Sequence, residues 1–135
     1  MVSVSNGVLI FTNQVLIAKT NTGPAKLIIS AALTPAPGTD DDFDRWYKEE
    51  HYRTLADCKG YVRTRRYRLK DALSGSKDVP TYLALHEFDA ETLPVEDLDR
   101  SASTEWAKRV MGSLAGQEVM VFSLLGSWGD VKAKF

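Results

Sequence analysis

Apolar and polar positions follow one another along this chain in an order that lays out most of its elements. Residues 25–33 (AKLIISAAL) are apolar on both alternating faces and run into the breaker Thr34-Pro35-Ala36-Pro37-Gly38, the pattern of a central strand buried on both sides. Phe43, Trp46, Tyr47, Glu50, His51, Thr54 and Leu55 then recur at spacings of three and four, which predicts a helix over about residues 40–57. Thr39 is placed to cap that helix, Asp40 to Asp42 suit the positive end of its dipole, and Gly60 suits its C-terminal stop. Residues 61–70 read as a second strand, with Tyr61, Arg63, Arg65, Tyr67 and Leu69 on one face and Val62, Thr64, Arg66 and Arg68 on the other. A third strand, residues 81–88, sets Tyr82, Ala84, His86 and Phe88 against Leu83, Leu85 and Glu87. An acidic link through Glu91 and Pro94 to Asp99 leads to a helix over about residues 104–114, capped by Ser103 and burying Trp106, Val110 and Leu114. Residues 118–125 form a nearly all-apolar last strand.

The resulting order is strand, helix, strand, strand, helix, strand. This split βαβ pattern predicts an α+β, ferredoxin-like domain, a four-stranded antiparallel sheet with two helices on one face. The first and last strands are apolar on both faces, so the uncovered side of the sheet predicts a sheet-to-sheet homodimer. The domain is expected over residues 25–127, followed by a tail, 128–135. Residues 1–24 precede it, with two β-rich runs at 8–12 and 15–19, and read as a leader or an extra hairpin.

Composition adds bounds rather than identity. At 135 residues, 44% hydrophobic and 26% charged, the chain has the size and make-up of one ordinary soluble domain without a membrane-spanning run. A formal net charge of −1 supplies no global field toward nucleic acid or anionic lipid. Lys59-Gly60-Tyr61 opens like an RNA-recognition signature, which then fails at Val62, Arg63 and Thr64. The single cysteine, Cys58, excludes an internal disulfide and a multi-cysteine zinc site and is expected as a buried structural thiol; a cytoplasmic setting fits best.

Chemistry concentrates between residues 40 and 69. The helix stripe begins with Phe43, Trp46 and Tyr47 and turns polar at Glu50, His51 and Thr54, so its second half either overlooks a cavity or projects past the sheet into water. At roughly 100° per residue, Phe43, Tyr47, Glu50 and Thr54 mark the middle of the stripe, with Trp46 and His51 on its flanks. His51 is the leading acid–base candidate, because a neutral imidazole titrates near working pH, and Tyr47, one turn earlier, is placed to hydrogen-bond it. His86 joins His51 if its strand face is the helix-facing one, and lies in the dimer interface if it is not. A metal would need both histidines to converge with Glu50 or Glu87, and Glu87 points opposite His86 on a regular strand; no metal is expected. The arginines of the second strand read as ion-pair partners of acids such as Glu87, with one available for an anionic or phenolate substrate.

Three segments in order, Trp46-Tyr47-Lys48-Glu49-Glu50-His51, then Gly60-Tyr61 with Arg65-Arg66-Tyr67, then Tyr82-Leu83-Ala84-Leu85-His86-Glu87-Phe88, resemble the EthD-like members of the dimeric α/β-barrel superfamily. The resemblance covers about residues 25–127. It implies a ferredoxin-like protomer whose sheet packs on that of a second subunit, with a small apolar pocket between helices and sheet. The wider superfamily includes cofactor-free monooxygenases, cyclases, lactone isomerases, decarboxylases and haem enzymes, so the fold leaves the reaction open. The expectation is a cofactor-independent enzyme acting on a small aromatic or polyketide-like molecule. Its expected catalytic residues are His51, Tyr47 and His86, with Phe43, Trp46, Glu50, Arg63, Arg66, Tyr67 and Tyr82 around the substrate. The competing expectation is a non-catalytic dimeric module that holds such a ligand in the same pocket.

Overall fold

The computed structural model describes the backbone of residues 2–5, 8–11 and 14–15 and, with side chains, residues 23–75 and 78–129. Three short strands, β1 (Val2–Ser5), β2 (Val8–Phe11) and β3 (Gln14–Val15), pair antiparallel in chain order. The early β-rich runs thus become part of a three-stranded meander as far as Val15; residues 16–19 of the second run lie outside the described residues.

The main sheet is built from β4 (Leu27–Thr34), β5 (Tyr61–Arg68), β6 (Tyr82–Phe88) and β7 (Gly116–Ser123) in the spatial order β5-β6-β4-β7. All three pairings are antiparallel, which is the ferredoxin-like arrangement the element order implies. On β4, Ile29, Ala31 and Leu33 are buried beneath the helices. Ile28, Ser30 and Ala32 on the opposite face are only half-buried, because a single chain covers one side of the sheet.

The first helical segment runs without a break through α1 (Asp40–Trp46), a π-helical turn (Tyr47–His51) and α2 (Tyr52–Ala56). Thr39 does not cap it: its hydroxyl donates to the Ala36 carbonyl at 2.7 Å, tightening the preceding turn instead. Downstream, Gly60 adopts φ +82, a conformation open to glycine, and leads into β5. Two further helices follow, α3 (Val95–Ser101) and α4 (Glu105–Gly112). Where the sequence reads as an acidic link, Pro94 starts α3, with Glu96 and Asp97 in its first turn; at seven residues the helix is too short to show an apolar period. Thr104, rather than Ser103, caps α4 by accepting the Ala107 N–H at 3.0 Å.

Two apolar clusters pin the helices to the sheet. Phe43, Trp46 and Tyr47 pack with Ala107 and Val110 of α4 over Ala31, Leu33 and Ala84. Leu55, Cys58, Tyr61 and Phe88 form the second cluster with Ile29, and Leu98 of α3 packs against it. The Cys58 thiol is buried there and donates to the Thr54 carbonyl at 3.5 Å. Among the described residues, no helix is long and apolar enough to cross a membrane.

Candidate functional site

The π-helical turn decides what the first helix presents to the sheet. Its backbone bond runs from the Tyr52 N–H back five residues to the Tyr47 carbonyl. On an ideal α-helix, positions 46 and 51 would lie about 140° apart. The π turn brings them to the same side of the helix, and the Trp46 and His51 rings stack with centroids 4.2 Å apart and planes 16° from parallel. The helical-wheel placement of these two residues on opposite flanks is therefore corrected.

A second irregularity shapes β5. Tyr61 pairs with Phe88 and Arg63 with Glu87, so Val62 forms a bulge. The extra residue shifts the alternation: Tyr61 joins Thr64, Arg66 and Arg68 on the helix-facing side, separating it from Arg63, Arg65 and Tyr67. His86 lies opposite Thr64 on the same side, which settles the face of the third strand: His86 points toward the helices and not toward the open sheet face.

Between the two apolar clusters lies a cavity of about 230 Å³. Its walls are the aliphatic side chains of Ile29, Leu33, Leu55, Leu98 and Met111 with Trp46 and Tyr47, and its polar rings are His51 and His86. Val119 of β7, which is half exposed, also lines it. The two imidazoles stand edge to face at 5.8 Å between centroids, and Tyr47 contacts both, at 5.1 Å from His51 and 6.3 Å from His86. The contact between Tyr47 and His51 is one of rings; among the described residues the buried Nδ1 of His51 has no hydrogen-bond partner. His86 Nδ1, by contrast, lies 2.9 Å from Thr64 Oγ1.

Burial controls the protonation of this cluster. Desolvation, with the neighbouring His86 and then Arg66 adding to it, lowers His51 to about 3. Desolvation and then Arg66 lower His86 to about 4. Burial pushes the Tyr47 phenol up to about 12, against the opposing pull of Arg66. At neutral pH the cavity thus holds two neutral imidazoles and a protonated phenol. The charge that acts on all three groups is Arg66, whose guanidinium sits 4.1 Å over the Tyr47 ring and pairs with Asp44 at 2.8 Å. Arg66, Tyr47 and Thr64 also line an adjoining depression of about 320 Å³ with Lys48 and Tyr52.

The remaining sequence candidates lie elsewhere. Phe43 is core, edge-on to Tyr47. Glu50 does not line the cavity: it accepts from Trp46 Nε1 at 3.1 Å and from the Thr104 hydroxyl at 2.7 Å, tying the π turn to the start of α4. Arg63 is on the opposite face of the sheet, where it and Arg65 clasp the buried Glu87 at 2.9 and 2.6 Å. Tyr67 shares that face and is half exposed. Tyr82 faces the helices, but its hydroxyl is engaged by Asp40 at 2.7 Å, away from the histidines. Sequence reasoning missed Tyr61, Thr64 and Leu98 as neighbours of the histidines; a bulge and a seven-residue helix place them, and neither has a period to read. Among the described residues, no group of three or more His, Cys, Asp or Glu side chains could hold a metal ion.

No family model and no curated protein matches the chain. Solved structures do. A variant of SnoaB, a cofactor-independent oxygenase from Streptomyces nogalater, is 11% identical over 76% of this chain and 95% of its own, with a TM-score of 0.51. An antibiotic biosynthesis monooxygenase-like protein from Caulobacter crescentus CB15 is 16% identical over 76% of this chain and 92% of its own, also at 0.51. An EthD family protein from Bacillus halodurans C-125 is 16% identical over 74% and 99%, at a TM-score of 0.47. The chain has the α+β ferredoxin-like fold, which it shares with the first two of these proteins, and at such identities the likeness is one of fold.

Proposed function

We propose that the protein is a cofactor-independent enzyme that acts on a small aromatic or polyketide-like molecule in the cavity between helices and sheet, with His51 as its acid–base group. One observation carries this reading: the neutral imidazoles of partly buried His51 and buried His86 and the phenol of Tyr47 meet in an otherwise apolar cavity beside the Arg66 guanidinium. A core built only for stability would fill such a space with aliphatic side chains, because each unpaired buried polar atom costs about 1–3 kcal/mol. In the empty cavity His51 is a weak base. Anionic charge developing on a bound enol or phenol favours the imidazolium and raises its affinity for the proton, so proton transfer is coupled to substrate. Tyr47, backed by Arg66, is the candidate for stabilising the oxyanion that forms. Such a proton removal opens cyclisation, isomerisation and oxygenation of an activated phenol or enol, and decarboxylation ends on the reverse step, proton delivery to the enolate left by loss of CO2.

The alternative is a non-catalytic binding module, favoured by the same depression of both histidines, which suits a site that holds a neutral ligand without moving a proton. Phenolic polyketides screened for binding and turnover separate the two. The intact protein is expected to convert at least one of them, and His51→Phe to retain the fold and lose about 100-fold or more in rate. Tight binding without conversion would favour the module; a fully active His51→Phe enzyme would remove His51 from the mechanism.

The working unit we propose is a homodimer joined through the open sheet faces. Its support is the half-exposed Met120 and Phe122 of β7 and Tyr67 of β5 on that side. An obligate interface of this kind buries on the order of 2,000 Å² or more. Sedimentation at micromolar concentration should show dimers, and monomer alone would refute it.

A further inference from the structure

The hydrogen bonds behind His86 form a chain of three side chains. Tyr61 donates its phenolic O–H to Thr64 Oγ1 at 2.8 Å, and Thr64 Oγ1 lies 2.9 Å from His86 Nδ1. A phenol is the stronger donor of the two hydroxyls and an alkyl hydroxyl the better acceptor, and burial keeps the Tyr61 proton in place. With its oxygen accepting from Tyr61, Thr64 has its own proton free for His86. A neutral imidazole that accepts at Nδ1 carries its hydrogen at Nε2, the remaining polar atom of a ring that lines the cavity. The chain exists because of the Val62 bulge: on a regular strand Tyr61 and Thr64 would point to opposite faces.

We propose that Tyr61 and Thr64 are positioning residues that lock His86 in its Nε2–H form, so that His86 meets a ligand as a hydrogen-bond donor and not as a base. The two histidines then have different tasks. His86 offers a fixed donor to an acceptor oxygen, a ketone, quinone or phenol oxygen, while His51, whose buried Nδ1 has no partner among the described residues, is left for proton transfer. The assignment selects small aromatic ligands that carry a carbonyl or hydroxyl oxygen over hydrocarbons of the same shape. It rests on the cavity being the ligand site, as proposed above.

Side-chain ¹⁵N spectra of the full chain near pH 7.5, recorded without ligand, test the relay by itself. His86 should be protonated at Nε2, with Nδ1 carrying the shift of a hydrogen-bonded lone pair. In Thr64→Val the Nδ1 signal should move to that of an unpaired nitrogen and the Nδ1–H form should become detectable; Thr64→Ser should restore the original pattern. Binding of 1-tetralone against naphthalene reads the consequence. The ketone should bind the intact protein about 3- to 10-fold more tightly, the range of one ordinary net hydrogen bond, and Thr64→Val should erase most of that preference while naphthalene affinity holds. A His86 protonated at Nδ1 in the intact protein, or a Thr64→Val spectrum identical to it, would overturn the relay. If the spectra are as expected and neither probe binds, the relay stands and the ligand reading of the cavity fails.

Discussion

Trp46→Ala should cost about 3–5 kcal/mol of folding stability, measured by urea denaturation at neutral pH. Trp46 is 1% exposed and among the largest fully buried side chains described. It packs edge-on to Tyr47 at 4.9 Å, stacks on His51, and donates its indole N–H to Glu50. Removing a fully buried aromatic loses its transfer energy and leaves a cavity that the surroundings fill only in part. Relaxation is restricted here, because the Trp46 site adjoins a cavity already present and the π turn fixes the backbone on its C-terminal side. Trp46→Phe separates packing from polarity: it keeps most of the ring volume and deletes only the bond to Glu50, which retains the Thr104 hydroxyl. A loss of about 1–2 kcal/mol is expected for that variant. If Trp46→Ala cost less than about 1 kcal/mol, the first cluster could not be organised around this ring as the contacts indicate.

The difference between those two variants also marks what a sequence of this kind discloses. Residues 25–33 and 118–125 announce strands as short apolar runs and 81–88 as a run between turn residues, and the order of elements then leaves few antiparallel topologies. The helix stripe was equally legible, and with it the conjunction of aromatic rings and His51. The helical wheel failed at the single inserted residue of the π turn. Periodicity assumes a constant angle per residue, and one irregular turn breaks the phase of everything after it. The Val62 bulge had the same effect on β5, turning Tyr61 to the helix side where it meets Thr64. Both irregularities adjoin the histidine cavity. That coincidence has a physical sense, since a regular helix and strand would satisfy their own backbones while aiming these rings apart. The short α3, which supplies Leu98 to the cavity wall, was hidden for a different reason: seven acidic-rich residues after a proline resemble a link until packing selects them. The side of β6 that carries His86 could not be read from the sequence at all, because its two faces are about equally apolar and only the pairing with β4 and β5 decides between them.

Stability should fall by about 2 kcal/mol for each of His51 and His86, close to 4 kcal/mol for the pair, as pH is lowered from 7 to 5. Both groups have folded-state values below the unfolded value of 6.5, His51 at about 3 and His86 at about 4. A depressed histidine is neutral when folded and protonated when unfolded at pH 5, so the unfolded state binds more protons and acid favours it. The contribution is fully present above pH 6.5, declines as pH falls below that value, and is exhausted once the pH drops through the folded values of 4 and 3. The upper part of this window lies above the range in which ordinary carboxylates titrate, which isolates the histidines from Asp44 and its ion pairs. Denaturant unfolding at pH 7 and pH 5 should therefore show the full decline in the intact chain and about half of it in His51→Phe or in His86→Gln, each of which removes one titrating ring. His86→Gln keeps a side chain able to accept from Thr64, so its stability at pH 7 tests packing while its pH slope tests burial of the charge. A flat profile between pH 7 and pH 5 would mean that water reaches both rings in solution. The apolar cavity would then lose the desolvation that sets His51 apart from an ordinary surface histidine.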